Sequence, residues 1–237
     1  MNQHPLISVV VPVRNEAPNL RPLVEEIAAA LVGIDFEIVY VDDGSSDATP
    51  FELATLATAF PLRFLRHRHS CGQSAAVITG VRAARGRWIA TLDGDGQNDP
   101  ADIPALLAHA QAEPGPVLIA GHRIHRRDNW RKRISSRIAN KIRAAVLGDR
   151  TPDTGCGLKL FARELFLSLP HFDHMHRYLP ALFLRAGAKV LSVPVHHRAR
   201  SRGVSNYGTL DRLLVGLPDL CGVWWLMRRG KRPQIEP

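Results

Sequence analysis

The sequence predicts an α/β domain whose central sheet is mostly parallel and carries helices on both faces. Three observations predict it. Runs of β-branched and apolar residues alternate with helical patterns through the first half of the chain, the connections between them are short, and three of the strand-like runs stop abruptly on polar clusters. In sheets of this kind ligands bind beyond the carboxyl ends of the strands, so those clusters mark the edge to watch.

Taken in order, residues 7–11 read as a β-branched strand followed by Pro12-Val13-Arg14-Asn15-Glu16. Residues 17–31 have the apolar spacing of a helix, with Pro18 near its start. A second strand over 36–41 ends on Asp42-Asp43-Gly44-Ser45-Ser46-Asp47, and Asp47 is placed to cap a helix over 48–60. A strand over 62–65, the segment Cys71-Gly72-Gln73-Ser74 and an alanine-rich helix over 75–85 come next. They lead into the strand that opens Trp88-Ile89-Ala90-Thr91-Leu92 and delivers Asp93-Gly94-Asp95-Gly96-Gln97. Beyond it, helices are expected over 102–111, 134–147, 178–186 and 210–227, with a strand over 117–120.

The acidic stretch carries the chemistry. Asp93 and Asp95 lie two apart, so in extended backbone they share a face, and Gly94 between them permits a close approach. Hard carboxylate oxygens with the Gln97 carboxamide suit Mg²⁺ or Mn²⁺ held together with substrate phosphates. An ordinary turn competes with this reading when the stretch is taken alone. A calcium loop is excluded, because the places that require Gly and Glu hold Asn98 and Pro104. No Gly-x-Gly-x-x-Gly follows the first strand and no Gly-Lys-Ser/Thr phosphate loop occurs, which weakens dinucleotide oxidoreductase and NTPase readings. An aspartyl phosphatase would normally carry its nucleophile on the first strand.

A formal charge of +9 implies an anionic partner, whether nucleic acid, a membrane surface or a phosphorylated substrate. Nucleic acid is disfavoured, because acid clusters at the ligand edge repel a polyphosphate chain and no aromatic-rich basic sheet motif is present. Three scattered cysteines, Cys71, Cys156 and Cys221, form neither a disulfide framework nor a paired metal motif, so a reducing cytoplasm is expected. The opening residues read as a strand broken by Pro12 rather than as a signal peptide.

Pro12-Val13-Arg14-Asn15-Glu16, Asp42-Asp43-Gly44-Ser45 and Asp93-Gly94-Asp95 stand in the order and approximate spacing of the inverting glycosyltransferases of family 2, which the chain resembles over nearly its whole length. The resemblance implies a GT-A nucleotide-diphospho-sugar transferase fold. It implies a UDP or GDP sugar donor and a divalent metal. Asp42 and the residues around Val13 to Glu16 would meet base and ribose, with Asp43 and Gly44 beside them, while Asp95 and Asp93, with Gln97, would serve the metal on the diphosphate. A helix-entry turn is the competing reading of Asp43 and Ser45.

Gln97, a Gly-x-Arg at Gly121-His122-Arg123, the Arg131-Lys132-Arg133-Ile134-Ser135-Ser136-Arg137 run and Arg202-Gly203-Val204-Ser205-Asn206-Tyr207-Gly208 further resemble the polyprenyl-phosphate sugar synthases of the dolichol-phosphate mannosyltransferase type. That branch implies a lipid-phosphate acceptor held by Arg123, Arg133 and Ser136, with Arg202 and Ser205 on the donor diphosphate. Two departures stand out: Asn206 where the branch often has Lys, and Asn98-Asp99 where it more often shows His-Pro. Asp153-Thr154-Gly155-Cys156-Gly157 matches the family's segment near the reaction centre. If the acceptor were a hydroxyl, as in cell-envelope polysaccharide synthesis, Asp153 is the candidate for taking its proton. Cys156 reads as a small buried residue rather than a nucleophile, and His171, His174 and His176 lack a completing ligand for zinc. Arg177 could hold phosphate at the start of the helix expected over 178–186.

The expected organisation is a catalytic domain over 1–208, with a donor half over 1–122 and an acceptor half over 123–208, and a C-terminal amphipathic helix and basic tail over 209–237. The tail has paired tryptophans and a basic end but is too short and too interrupted to span a bilayer. It either lies in the membrane interface or packs on the core. The expected location is the cytoplasm, peripheral on the inner face of the plasma membrane.

Overall fold

The computed structural model describes residues 4–124, 143–199 and 209–229, with residues 209–215 given by backbone alone. Four of the expected site residues, Arg133, Ser136, Arg202 and Ser205, lie outside the described residues, as does most of the helix expected over 134–147.

The alternation read from the sequence becomes β1 (Ile7–Val13), α1 (Ala17–Ala30), β2 (Phe36–Asp42), α2 (Thr49–Leu56), β3 (Leu62–Arg66), α3 (Gln73–Ala83) and β4 (Trp88–Thr91). After α4 (Ile103–Ala112) and β5 (Val117–Arg123) come β6 (Lys159–Ala162) and β7 (Lys189–Val195). Together the strands form one seven-stranded sheet in the order β3-β2-β1-β4-β6-β5-β7. β6 runs antiparallel to both its neighbours, and the other pairings are parallel. The fold is therefore α/β with a mostly parallel sheet, as expected. Because β1 sits between β2 and β4, successive crossovers leave it in opposite directions, and a crevice opens at its carboxyl end.

β6 is a four-residue run with no flanking period to identify it, and periodicity alone cannot class so short an apolar segment. β7 is half exposed and carries Pro194, as an edge strand tolerates, so its alternation is weak in sequence. α2 is shorter than expected. Its cap residue is Ala48, and Asp47 instead accepts hydrogen bonds from Thr49 N at 3.0 Å and from Ala17 N at 3.3 Å, which ties the starts of α1 and α2 together.

The core has two layers, one on each face of the sheet. Val9 and Val11 point into the layer with Leu20, Leu23 and Ile27 of α1 and Leu106 of α4, while Val10 points to the opposite layer with Val77 and Val81 of α3 and Phe161, Phe166 and Phe183. The C-terminal helix Thr209–Arg228 joins the second layer through Val223, Leu220, Leu226 and Met227. Tyr178 Oη donates to Gly216 O at 3.2 Å, and Arg185 Nε to Leu226 O at 2.9 Å, which fixes the helix on the domain. Its outward side leaves Leu217, Trp224 and Trp225 exposed, with the Arg228 guanidinium 4.1 Å from the Trp224 ring centroid. Of the two readings of this helix, packing on the core holds for its inner face. Among the described residues no helix is long and apolar enough to cross a membrane.

Candidate active site

The carboxyl ends of β1, β2, β4 and β5 and the amino end of β6 meet along one edge, and the described polar residues from residue 12 to Asp153 that were read from the sequence gather there. At the notch between β1 and β2 the chain is stitched tightly. Asp43 N donates to Val13 O at 2.8 Å, Asn15 N to Ser45 Oγ at 2.9 Å, and Ser46 N to the Asn15 carboxamide oxygen at 2.8 Å. Asn15 has φ +56°, a left-handed turn that asparagine tolerates better than most residues. Glu16 N donates to Thr49 Oγ1 at 3.0 Å. Pro12 and Val13 end β1, and Arg14 is exposed at the lip of the notch.

Asp42 is fully buried at the end of β2. One oxygen accepts from Ser45 N at 2.9 Å and the other faces Arg66 Nε at 3.1 Å. Asp43 has a different role from its neighbour. Its carboxylate accepts from His67 Nδ1 (2.7 Å), Ser70 Oγ (2.7 Å), Cys71 N (2.8 Å) and Gly72 N (2.9 Å). Burial opposes its ionisation, but those bonds outweigh it and hold the carboxyl below the usual range. The ligand atoms of Asp43, His67 and Cys71 lie within 4.8 Å of one another. With both Asp43 oxygens so occupied, the cluster reads as a clip on the loop between β3 and α3. Gly44 (φ +73°) is required under that loop, since a Cβ there would stand 2.8 Å from His69 C and Ser70 N.

Asp93 and Asp95 follow β4 in a turn rather than in extended backbone. The group that approaches Gly94 is Val13, whose Cγ1 occupies the space a Cβ would need. Gln73, the first residue of α3, donates to Asp93 Oδ1 at 2.9 Å, and Asp95 Oδ1 accepts from Gln97 N at 3.1 Å. Burial and then the Asp95 charge push the Asp93 carboxyl up to about 6. Among the described residues neither acid forms an ion pair. A carboxylate that burial and a neighbouring acid make reluctant to ionise, with that acid and a carboxamide close by in the chain, is a donor set that a hard divalent cation would stabilise.

Opposite these acids, the turn 153–157 comes against them from β6. Thr91 Oγ1 donates to Gly157 O at 2.7 Å, and Gly157 lies so close to the Asp93 carboxylate that no side chain fits between them. Asp153 forms a two-pronged pair with Arg123: Nε donates to Oδ2 at 2.7 Å and an Nη to Oδ1 at 2.8 Å, with both side chains nearly buried. Burial opposes the charge on Arg123, but the Asp153 carboxylate outweighs it and raises the guanidinium above its ordinary value. Lys159 begins β6 and is buried, donating to Thr154 O at 3.3 Å and to Cys156 O. Burial lowers its ammonium below the usual range, while the fields of Cys156, Asp93 and Asp153 pull it back. The Cys156 thiol is buried, pushed up by that burial, and receives Asn98 Nδ2 at 3.6 Å, so it behaves as a small core residue.

The three histidines part company. His171 meets Arg82 (3.2 Å), His174 pairs with Asp219 (2.9 Å), and His176 bonds Ser74. Ser74 Oγ accepts from His176 N at 3.1 Å and shares a second hydrogen bond with the ring Nδ1 at 2.7 Å. Burial and neighbouring cations hold that imidazole down at about 3. Sequence reasoning gave no role to Gln73, Ser74 or Lys159. A lone lysine inside the apolar run Leu158-Lys159-Leu160-Phe161 was the one signal available, since unpaired lysines are rarely buried without a reason.

The sequence pattern described as Glycosyl transferase family 2 matches residues 8–169, which takes in every described cluster from the notch to β6. The chain belongs to glycosyltransferase family 2. It is 36% identical over 234 residues to a dodecaprenyl-phosphate galacturonate synthase of Rhizobium johnstonii, covering 96% of this chain and 69% of that protein. It is 34% identical over 219 residues to an undecaprenyl-phosphate 4-deoxy-4-formamido-L-arabinose transferase of an Enterobacter species, covering 90% and 66%. The chain thus spans about two thirds of the length of these relatives.

Among solved structures, a glucosyl-3-phosphoglycerate synthase of Mycobacterium tuberculosis, crystallised with Mn²⁺, UDP and glucosyl-3-phosphoglycerate, superposes with TM-score 0.69 at 21% identity over 94% of this chain and 80% of that one. A mannosyltransferase from Pyrobaculum calidifontis in complex with GDP-mannose and Mn²⁺ gives 0.67 at 24% identity over 98% and 67%. These likenesses establish the GT-A fold of this family 2 glycosyltransferase.

Proposed function

We propose that this glycosyltransferase moves a sugar, with inversion, from a nucleotide-diphosphate donor (UDP or GDP) to a polyprenyl phosphate, using Mg²⁺ or Mn²⁺. The observation that carries the acceptor is the Arg123–Asp153 pair. Asp153 is the acid best placed to serve as a base, yet its two oxygens are held by a guanidinium, which makes it a poor proton acceptor. A phosphate monoester is already anionic and needs no such base, whereas a neutral hydroxyl does. The two sequence relatives, a dodecaprenyl-phosphate galacturonate synthase and an undecaprenyl-phosphate 4-deoxy-4-formamido-L-arabinose transferase, support the same acceptor class.

In this reading Asp42, Asn15 and the 12–16 turn line the nucleoside notch, with Asp43 and Gly44 shaping its floor. Asp93, Asp95 and Gln97 are the residues that would hold the divalent ion, which when bound neutralises the diphosphate of the leaving nucleotide. Gln73 and Gly157 fix the Asp93 carboxylate from two sides, and Lys159 adds positive field behind it. Arg123, with Arg133 and Ser136, orients the acceptor phosphate, and Arg202 and Ser205 take the donor diphosphate. The donor half is 1–122 and the acceptor half 123–208. The outward face of the C-terminal helix, with Trp224, Trp225 and Arg228, supports peripheral seating on an anionic membrane surface beside its lipid substrate.

The test is transfer of labelled sugar from a panel of UDP and GDP donors to undecaprenyl phosphate, with Mn²⁺ or Mg²⁺ and with EDTA. Metal-dependent labelling of the lipid is expected. Metal-dependent donor hydrolysis without lipid labelling would send the assignment to a hydroxyl acceptor.

A further inference from the structure

The segment after β7 is fastened to the acidic loop after β4 at three successive residues. His196 N and Nδ1 meet the two Asp102 oxygens at 2.7 and 2.8 Å, His197 forms an antiparallel bridge with Asn98, and Arg198 N donates to Gln97 O at 2.9 Å. The Arg198 side chain then divides. One nitrogen lies 2.7 Å from Asp99 Oδ2, and the other reaches both Glu26 oxygens of α1 at 2.8 Å. Asp99 is itself fixed, its second oxygen accepting from Ala101 N at 3.0 Å at the start of a 3₁₀ turn. Asn98 and Asp99 are the two places at which this chain departs from the His-Pro usual in the branch it resembles. Here both are used by residues 197 and 198.

We propose that Arg198 is a positioning residue for the metal loop: its fork to Asp99 and Glu26, with its backbone bond to Gln97, holds residues 95–99 in the geometry that presents Asp95 and Gln97 to a divalent ion. Lysine cannot replace it, because an ammonium is a single point that cannot serve two carboxylates held apart on α1 and on the loop with fixed fork geometry. The residue acts through the loop and not on substrate, as outer-shell partners of metal ligands do. The Arg198 and Glu26 side chains are about 40% exposed and Asp99 is 19% exposed, so these pairs contribute little to global stability. The inference rests on the reading of Asp93, Asp95 and Gln97 as the metal set.

The sign of the effect separates positioning from plain charge. If Arg198 mattered only as a cation near the site, its removal would tighten binding of a dication. If it positions the loop, its removal weakens binding although a repelling charge is gone. The experiment measures Mn²⁺ affinity of the full chain by the electron paramagnetic resonance signal of free Mn²⁺ at pH 8, with UDP or GDP present, for wild type, R198A, R198K, D99N and D95N. The expected result is about tenfold weaker Mn²⁺ binding in R198A and R198K, by analogy with outer-shell losses at metal sites. D99N should show a smaller loss in the same direction. The turnover defect should be largely restored by excess Mn²⁺, with thermal midpoints near wild type. Unchanged or tighter Mn²⁺ binding in R198A overturns the proposal, as does a turnover loss that excess Mn²⁺ leaves in place. If wild type and D95N bind Mn²⁺ alike, the metal assignment fails instead of the clamp.

Discussion

Replacing Asp153 by Asn tests both the Arg123–Asp153 pair and the proposed acceptor chemistry. The Arg123–Asp153 pair has side-chain exposures of only 13% and 5%, so water cannot take over from a lost partner. Removing one member of a buried, well-formed pair costs about 3–5 kcal/mol because the other charge is stranded. Asn keeps the volume and one acceptor, which places D153N near the lower end, about 3 kcal/mol. For a chain of this length each kcal/mol moves the thermal midpoint by about 2–4 °C, so a drop of about 6–12 °C is expected by calorimetry.

A double-mutant cycle with R123M should recover a coupling of about 2 kcal/mol or more, because each single variant alone breaks the two-pronged contact between these side chains and the double variant loses it only once. A midpoint shift under about 2 °C, or additive single effects, would show that the pair is not the structural unit described here. The same variant separates the two acceptor chemistries. If the acceptor is a phosphate, D153N lowers turnover while the pH profile keeps its shape. Loss of the ascending acid limb would instead make Asp153 a general base and refute the phosphate reading.

Three further outcomes are expected. G157A brings a methyl group against the Asp93 carboxylate and should reduce both Mn²⁺ affinity and turnover by about 100-fold, measured by Mn²⁺ titration and labelled-sugar transfer. His176, held near 3 in the folded chain against an ordinary 6.5, binds its proton more readily once unfolded, so folding stability falls as pH drops below 6.5. That contribution is about 1.4 kcal/mol at pH 5.5, and H176Q should flatten it in urea unfolding compared at pH 7.5 and 5.5. Replacing Trp224 and Trp225 together by Ala should weaken sedimentation with anionic vesicles, and raising the salt concentration should weaken the wild type too. Transfer to a water-soluble short-chain polyprenyl phosphate should be unaffected.

The donor-side loops were legible in the sequence because strand polarity converts order into place. Once β1, β2 and β4 are parallel, Asn15, Asp42 and Asp93 must emerge at the same edge, whatever the side chains do next. The short β6 and the edge strand β7 were not legible, since one has too few residues to show a period and the other buries too little to need one. Asp43 shows a second limit. Standing beside Asp42 in an acidic motif, it gives no local sign that the fold brings the 67–72 loop over it and engages both its oxygens.

The sequence by itself determined the class of sheet, the edge at which the donor-side polar clusters gather and the hard-oxygen character of the acid cluster, because these follow from local periodicity and residue type. Only the tertiary structure decided which groups act on which. Gln73 and Gly157 bracket Asp93, Arg123 claims Asp153, Lys159 stands behind the acids, and Arg198 reaches across from the end of β7 to the loop after β4. These partners are separated by tens of residues along the chain. Their meeting depends on the antiparallel insertion of β6 between β4 and β5, a pairing that no local pattern encodes.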